Sequence, residues 1–220
     1  MNTYKNKNIE YLFNLDYSFY DLCIENKNFY YDFVKNIIEQ DNESNFLYID
    51  NKLEKFKTRS YVISDMFHLE INSKKQLKAF YNKLQLTNVN NDRKEQMNKI
   101  SELICILIND LSNDMNCDMD YNFNFNLLDI LNMIDYKFNI ESASFLELLI
   151  IYIKSLQEIM TIDIIFILNI TAILNDDDII KLKTEIEFLG ITIVNISYSK
   201  IELPKIITKI IIDKDLCEIY

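Results

Sequence analysis

Glycine and proline are almost absent from this chain. Among its 220 residues there is one glycine, Gly190, and one proline, Pro204. Phosphate-binding loops such as G-x-x-x-x-G-K-[ST] and G-x-G-x-x-G need several glycines, because their backbone adopts positive φ and approaches the phosphate closely. The composition therefore excludes the usual nucleotide-binding loops, and we expect no bound nucleotide.

Histidine and paired cysteines are scarce as well. His68 is the single histidine, and the four cysteines show no C-x-x-C spacing. A zinc site or a Ser/His or Cys/His catalytic set is therefore not expected. We interpret His68 as structural and the cysteines as buried free thiols in a reducing compartment. The cysteines are Cys23, Cys105, Cys117 and Cys217.

Long apolar segments free of charge are missing too. Residues Met1–Glu10 are polar and lack the apolar core of a signal peptide. The most hydrophobic region, Phe145–Leu174, is interrupted by charged side chains, so membrane insertion is not expected. These features predict a cytoplasmic protein without a membrane partner.

The N-terminal part of the chain shows a strand, a turn and a helix in succession. The sequence FYDLCI at residues 19–24 predicts a strand, Glu25–Asn28 a turn, and Phe29–Glu39 a helix with one apolar side. A second strand is predicted at Phe46–Ile49. The turn occupies the place of a phosphate loop but has an acidic side chain and no glycine.

The C-terminal part again alternates between helices and strands. Ser144-Phe-Leu-Glu147 has the form of a capping box that begins a helix to about Met160. The apolar run Ile162–Leu168 is typical of a central parallel strand. Asn175-Asp-Asp-Asp178 then predicts a helix N-terminus, which explains these acids better than a metal site. That helix is expected to end at Gly190, before a strand at Ile191–Ile196.

The middle of the chain has helical periodicity only. Ser73-Lys-Lys-Gln76 and Asp92-Arg-Lys-Glu95 have the form of capping boxes, which predict a helix to about Leu86 and a longer helix after it. A third helix is predicted at Phe125–Ile134. The longer helix has an apolar stripe that predicts a packing or subunit contact. Its residues are Met97, Ile100, Ile104, Leu107 and Leu111.

Together these patterns predict an α/β fold with a mainly parallel sheet, interrupted by an inserted helical part. The predicted α/β domain is discontinuous and comprises residues 1–71 and 144–220. The helical part is expected to comprise residues 72–143.

The net charge of −11 is distributed unevenly. Seven basic and two acidic residues lie between Asn72 and Lys99, a net +5, whereas Ile100–Glu147 has nine acidic residues and one lysine, a net −8. A negative protein repels nucleic acid unless its basic residues are segregated, as they are here. They form a candidate DNA-binding surface, with a solvated lysine-rich face as the alternative. The basic residues are Lys74, Lys75, Lys78, Lys83, Arg93, Lys94 and Lys99.

The acidic stretch Asp110–Asp120 is a candidate for binding a hard cation. Its tightest pair is Asp118-Met-Asp120, and calcium favours several carboxylate oxygens. An EF-hand is excluded because the loop glycine and the closing glutamate are missing. A solvated acidic loop is the alternative.

Several segments, taken in their order and spacing, carry a resemblance to a known family. They are Asp21-Leu-Cys-Ile-Glu25, Phe46-Leu-Tyr-Ile-Asp50-Asn-Lys52, Ser64-Asp65, Leu69-Glu-Ile-Asn-Ser73, Asp118-Met-Asp-Tyr121, Ile164-Ile-Phe-Ile-Leu-Asn169 and Glu202-Leu-Pro204. From about Phe19 to Ile219 the chain resembles the type II-A CRISPR adaptation proteins, which form ring-shaped tetramers on DNA ends.

The resemblance implies a head with a degenerate P-loop-type fold that has lost nucleotide binding, and a helical leg. It also implies a homotetramer whose positively charged hole threads double-stranded DNA, braced by calcium ions. Asp118 and Asp120 match the family's acidic-x-acidic-Tyr segment, and Asp129 matches an acidic position on the next helix. Asn122 and Phe123 stand where the family usually has further acids, which reduces the charge available for calcium.

Our hypothesis from the sequence is a non-enzymatic protein that binds double-stranded DNA ends through phosphate contacts and acts in CRISPR spacer acquisition. Its expected partners are the CRISPR integrase complex and the type II-A effector nuclease. One alternative is a divergent ATPase-like DNA remodeller that binds nucleotide at Glu25–Asn28. The other is an acidic protein-docking module without a DNA-binding role.

Overall fold

A computed structural model describes residues 2–16, 19–87, 91–114, 126–141, 143–200 and 204–220. The chain divides into two compact units. Unit 1 comprises Met1–Ile71 and Ile140–Tyr220, and unit 2 comprises Asn72–Asn139.

Unit 1 is built around a six-stranded sheet. Its strand order is β10-β9-β3-β8-β7-β6, and all neighbours are parallel except β10, which runs antiparallel to β9. The strands are β3 (Phe19–Ile24), β6 (Ser60–Ile63), β7 (Ile164–Leu168), β8 (Thr192–Ser197), β9 (Thr208–Ile212) and β10 (Glu218–Ile219).

Strand β3 lies at a topological switch point of this sheet. The chain leaves β3 towards β6 at one edge, whereas the connection after β8 leads to β9 on the other side of β3. Ligands of open α/β sheets bind at the carboxyl ends of the strands at such a point. The residues that follow β3 therefore occupy the position where a nucleotide would be expected.

A second sheet in unit 1 is antiparallel, and the sequence patterns did not predict it. Its order is β2-β1-β4-β5, and Tyr4 of β1 lies opposite Leu47 of β4. The strand predicted at Phe46–Ile49 is thus confirmed, but it pairs outside the parallel sheet. The sequence did not indicate this pairing because the partner strands are too short to show a pattern. The strands are β1 (Thr3–Asn6), β2 (Phe13–Asn14), β4 (Asn45–Ile49) and β5 (Lys52–Glu54).

One core lies against both sheets. Alternate side chains of a strand point to the same face, and Leu22, Phe166 and Val194 on the large sheet belong to one buried cluster with Tyr4 of the small sheet. The rings of Tyr4 and Phe166 are 5.2 Å apart in an edge-to-face arrangement. This cluster holds the two sheets together by burying apolar surface between them.

The helices of unit 1 begin and end largely where the sequence predicted. The Ser144 hydroxyl accepts a hydrogen bond from the Glu147 backbone N–H, and the Glu147 carboxylate accepts one from that of Ser144, which confirms the capping box. Gly190 has φ of 64° at the end of its helix and confirms the predicted left-handed C-terminus. The helices are α1 (Lys27–Ile38), α2 (Phe56–Arg59), α6 (Phe145–Ile159) and α7 (Asp176–Leu189).

The described part of unit 2 is helical. It contains α3 (Lys74–Thr87), α4 (Asn91–Asn113) and α5 (Leu127–Met133), and α3 packs against α5. The Asn72 side-chain amide donates a hydrogen bond of 3.0 Å to the Phe138 backbone oxygen, and its oxygen accepts one of 3.0 Å from the Phe138 backbone N–H. These bonds tie the two ends of unit 2 together.

Two details of unit 2 differ from the sequence prediction. Helix α4 begins at Asn91, so Asp92 lies in its first turn and is not the N-cap residue. Helix α5 begins after Asn126, whose side chain forms a capping box with Asp129. Among the described residues, no helix combines the length and apolar character needed to cross a membrane.

Candidate nucleic-acid interface

The N-terminus of α3 presents two lysines and has no acidic residue in its first turn. The Ser73 hydroxyl accepts a hydrogen bond of 3.3 Å from the Gln76 backbone N–H, as its predicted capping role requires. Lys74 and Lys75 follow in an exposed first turn that has no acidic residue. Because the helix dipole places partial positive charge there, this end of α3 attracts anions.

The predicted basic residues of α3 do not share one face. Successive residues of a helix are rotated by about 100°, so Lys78 lies about 40° from Lys74, whereas Lys75 is displaced by about 100° and Lys83 by about 180°. The structure therefore brings Lys74 and Lys78 together and separates them from Lys83.

The basic residues of α4 lie on its N-terminal turns. Arg93 and Lys94 are exposed, and the Lys99 ammonium forms an ion pair of 2.7 Å with the Glu95 carboxylate. Exposed pairs of this kind on one helix contribute little to stability, about 0.3–0.5 kcal/mol. Lys99 thus stays available to exchange Glu95 for another anion.

A cavity of about 440 Å³ lies between α3 and α5. Helix α3 contributes Lys74, Leu77, Lys78, Tyr81 and Asn82 to its lining. Leu128 and Asn132 of α5 and the following Asp135 form the rest of the described lining. Polar side chains around an apolar floor are typical of a small-ligand pocket, and the sequence patterns did not predict this one.

The predicted calcium ligands do not form a site within the described residues. Asp118 and Asp120 lie outside them. The Asp129 carboxylate accepts a hydrogen bond of 2.9 Å from the Asn126 backbone N–H, so it caps its own helix. No group of three or more potential metal ligands occurs in the part of the chain that the structure describes. Because calcium takes six to eight oxygen ligands, Asp129 alone does not make a calcium site.

An ion pair occupies the switch point at the end of β3. The Glu25 carboxylate lies 2.9 Å from the Lys200 ammonium, and this hydrogen bond raises the pKa of Lys200. Next to it, the Asn26 side chain accepts a hydrogen bond from the Phe29 backbone N–H and caps α1. The turn after β3 therefore contains a paired carboxylate and no glycine, in agreement with its sequence.

A buried polar pair in the centre of the sheet was not predicted from the sequence. The Asn195 amide donates a hydrogen bond of 2.6 Å to the Asp21 carboxylate, and both residues are at most 1% exposed. The Asn195 oxygen accepts a second bond of 2.9 Å from the Ile170 backbone N–H. Burial raises the pKa of Asp21, and the bond from Asn195 opposes that shift.

The apolar stripe of α4 is largely exposed. Ile100, Leu107 and Leu111 are 38%, 58% and 57% exposed, whereas Met97 and Ile104 are half-buried. The sequence predicted a packing or subunit contact for this stripe. Packing among the described residues therefore does not bury Ile100, Leu107 and Leu111.

Comparison with protein families decides the relationship of the chain. The model of the CRISPR-associated protein family Cas_Csn2 matches residues 38–216. The chain belongs to this family. The resemblance found in the sequence is thereby confirmed, and it gives the chain a CRISPR-associated role. No match is found among the curated proteins.

A solved structure supports the same relationship at the level of the fold. The crystal structure of Stu0660 of Streptococcus thermophilus is similar with a TM-score of 0.51 and 15% sequence identity. The match covers 100% of this chain and 76% of that chain. At this identity the similarity concerns the α/β fold with its helical insertion.

The remaining sequence-predicted residues are only partly as expected. Cys23 is buried, whereas Cys105 is half-buried and Cys217 is exposed, so the prediction of uniformly buried thiols was wrong. Cys117 lies outside the described residues. The His68 side chain is exposed and lies 2.7 Å from the Asp65 carboxylate, because it follows β6 in a surface loop. It therefore has no part in the core.

Proposed function

We propose that this Cas_Csn2 family member is a non-catalytic protein that binds double-stranded DNA ends in CRISPR spacer acquisition. The observation that carries the proposal is the segregation of charge, with a net +5 between Asn72 and Lys99 in a chain of net −11. Phosphate contacts supply affinity without reading sequence, so we expect no base preference. The protein would act in the cytoplasm with the integrase complex and the effector nuclease.

The geometry of α3 and α4 supports this proposal. Lys74, Lys75, Lys78, Arg93 and Lys94 are exposed along the two helices, where DNA phosphates can reach them. The first turn of α3 adds the positive end of a helix dipole to the same surface. The acidic remainder of the chain would repel DNA and restrict binding to this surface.

We further propose that four chains form a ring around the DNA. The exposed stripe of α4 supports self-association, because an apolar surface of this kind is stabilised when another protein covers it. The residues of the stripe recur alternately three and four positions apart, which is the spacing of a helix-packing seam. A ring would pass a duplex only from a free end, which gives the specificity for ends.

The head is proposed to be a degenerate P-loop-type domain without catalysis. Support comes from the strand, loop and helix formed by β3, Glu25-Asn26 and α1, which is the arrangement of a P-loop unit. Glu25 and Lys200 pair where the phosphates would lie. Titration of the protein with ATP and magnesium in a calorimeter tests this, and measurable binding would favour the ATPase-like alternative.

DNA binding is tested by an electrophoretic shift assay with linear duplexes and covalently closed circles of one sequence. We expect the linear DNA to bind and the circle to bind far more weakly. Affinity should fall with salt, with a log–log slope of about −0.9 for each phosphate neutralised. Equal binding of both forms would contradict threading, and no binding at low salt would favour the docking-module alternative.

Charge reversal identifies the surface. We expect the triple change Lys74→Glu, Lys75→Glu and Lys78→Glu to abolish binding, because it replaces attraction to phosphate by repulsion. The matched control reverses three exposed lysines of unit 1 and has the same net charge. If both variants lost the same affinity, net charge and not this surface would explain binding. The control lysines are Lys52, Lys55 and Lys57.

Assembly is tested separately by light scattering after size-exclusion chromatography. We expect the wild type to be a tetramer and the change of Leu107 to Glu to give smaller species, since it puts a charge into the stripe of α4. Changing Phe188, which is 85% exposed on α7, to Glu is the control. A tetramer that survives the Leu107 change would locate the contact elsewhere.

Calcium remains a separate proposal that rests on Asp118 and Asp120. Changing both to Asn removes two negative charges and should abolish any stabilisation of the protein by calcium. Thermal unfolding with calcium and with magnesium measures this effect. An unchanged calcium response in the double variant would exclude these two residues as ligands.

A further inference from the structure

We propose that the cavity between α3 and α5 binds a phosphate group through the ammonium groups of Lys74 and Lys78. The inference deepens the proposed function, and it rests on that function where the phosphate belongs to DNA. Of the seven predicted basic residues, the proposal assigns only Lys74 and Lys78 to this phosphate. The side-chain amides of Asn82 and Asn132 are further donors in the same cavity.

The cavity has the size and the walls for such a ligand. Its volume of about 440 Å³ lies within the range of about 300–1,000 Å³ that is usual for small-ligand pockets. Leu77 and Leu128 are half-buried, whereas the two lysines and Asn82 are exposed. An apolar floor with polar groups at the mouth leaves the donors free to converge on one group.

The charge of the cavity favours an anion. Two ammonium groups are opposed by one carboxylate, that of Asp135. The Asp135 carboxylate lies 2.6 Å from the ammonium of Lys137, which is not among the described residues lining the cavity. Lys137 therefore already balances the charge of Asp135. Among the described residues, Lys74 and Lys78 have no carboxylate within the 4.0 Å of an ion pair. The described residues therefore form no ion pair that neutralises the positive charge of Lys74 and Lys78.

The start of α3 adds to this preference. Lys74 lies in the first turn, which has no acidic residue, so the helix dipole and the lysine act on an anion in the same direction. A lysine in this turn is otherwise unfavourable for the helix, because its charge repels the positive end of the dipole. A phosphate seated beside Lys74 removes that cost.

The remaining polar group of the cavity is already engaged. The Tyr81 hydroxyl donates its hydrogen to the Tyr136 backbone oxygen and contributes no donor to a ligand. The donors left are ammonium and amide groups, which suit the oxygens of a phosphate. The phosphate can be part of a DNA strand or free in solution, and the experiment distinguishes the two.

The test compares two double variants of the full chain that remove the same charge. Lys74→Gln with Lys78→Gln changes the cavity. Lys52→Gln with Lys55→Gln changes two exposed lysines of unit 1 that belong neither to the described lining of the cavity nor to the proposed DNA surface. Circular dichroism shows whether each variant keeps its helices. Each protein is titrated with inorganic phosphate at constant ionic strength, and with a short blunt duplex at several salt concentrations.

We expect inorganic phosphate to raise the thermal midpoint of the wild type and of the Lys52/Lys55 variant, but not that of the Lys74/Lys78 variant. For the duplex, the log–log salt slope should become shallower by about 1.8 in the Lys74/Lys78 variant if each lysine neutralises one phosphate. An effect on the duplex alone identifies a DNA phosphate as the ligand and also supports the proposal.

Other results separate the cavity from the proposed function. If both variants lost duplex affinity equally, the protein would bind DNA but the cavity proposal would be wrong. If inorganic phosphate stabilised the wild type through Lys74 and Lys78 while no duplex bound, the cavity proposal would hold and DNA binding would fail. If the wild type responded to neither probe, both the cavity proposal and the proposed DNA binding would be wrong.

Discussion

The buried pair of Asp21 and Asn195 makes a quantitative prediction about stability. Changing Asn195 to Leu keeps the number and branching of the side-chain heavy atoms but removes the donor to the Asp21 carboxylate and the acceptor of the Ile170 backbone N–H. Both partners then stay buried without their hydrogen bonds. The change should therefore be among the most destabilising ones in unit 1.

The magnitude follows from the two lost bonds. A hydrogen bond to a charged group contributes about 1.5–3 kcal/mol, and a buried N–H left without a partner costs about 1–3 kcal/mol. Because of both losses together, the free energy of unfolding should fall by about 2.5–6 kcal/mol at neutral pH. Because domains are stable by only about 5–15 kcal/mol, the variant should be close to unfolding.

The cost of this change should depend on pH, with a definite sign. Burial raises the pKa of Asp21 in the folded protein above 3.8, its ordinary value. The protonation of Asp21 therefore adds fully to the free energy of unfolding below pH 3.8, and this contribution is lost as the pH rises through the folded pKa. Losing the Asn195 bond raises the folded pKa further. In acid, Asn195→Leu removes a bond to a neutral group, and its cost should be smaller by about 1–1.5 kcal/mol.

Guanidinium unfolding followed by circular dichroism, at several pH values, measures both effects. The exposed Asn28 of α1, changed to Leu, is the control and should stay within about 0.5 kcal/mol of the wild type. A cost below about 1 kcal/mol for Asn195→Leu, or one that does not vary with pH, would refute the reasoning.

Three further changes test local features of unit 1. Gly190→Ala should cost about 1–2 kcal/mol, purely through the backbone, because φ is +64° and a Cβ would meet no atom within 4 Å; thermal unfolding measures it, and Gly190→Asn should cost less. Ser144→Ala should lower stability by about 1 kcal/mol in the same assay, because it removes the bond to the Glu147 N–H. Arg59→Met leaves the Asp163 carboxylate, 2.6 Å from Arg59 in the wild type, without its counter-charge. Denaturant unfolding should show a loss of about 3 kcal/mol that shrinks in acid as Asp163 becomes protonated.

Local patterns were sufficient for most helices and for strands β3, β4, β7 and β8. The capping residues Ser144 and Glu147 lie three positions apart in the chain, and Gly190 needs only its own backbone conformation, so both could be predicted without knowledge of the fold. The apolar run that became β7 is a signal of the same local kind. In each of these cases the physical cause acts within a few residues.

Features that depend on distant residues were missed. The pairing of β1 with β4 joins residues about forty positions apart, as Tyr4 and Leu47 illustrate. Asp21 and Asn195 meet because their strands are neighbours in register, although 174 positions separate them. No periodicity or motif within either segment indicates such a partner.

The candidate interface shows the same division. Composition and charge along the chain were sufficient to exclude a glycine-rich phosphate loop and to find the basic segment, because both depend only on which residues are present. Whether Lys74 and Lys78 share a cavity depends on how α3 packs against α5. Lys200 lies beside Glu25 because β8, which precedes Lys200 in the chain, is the neighbour of β3 in the sheet. Packing between separate elements decides these contacts, so they could be read only from the folded chain.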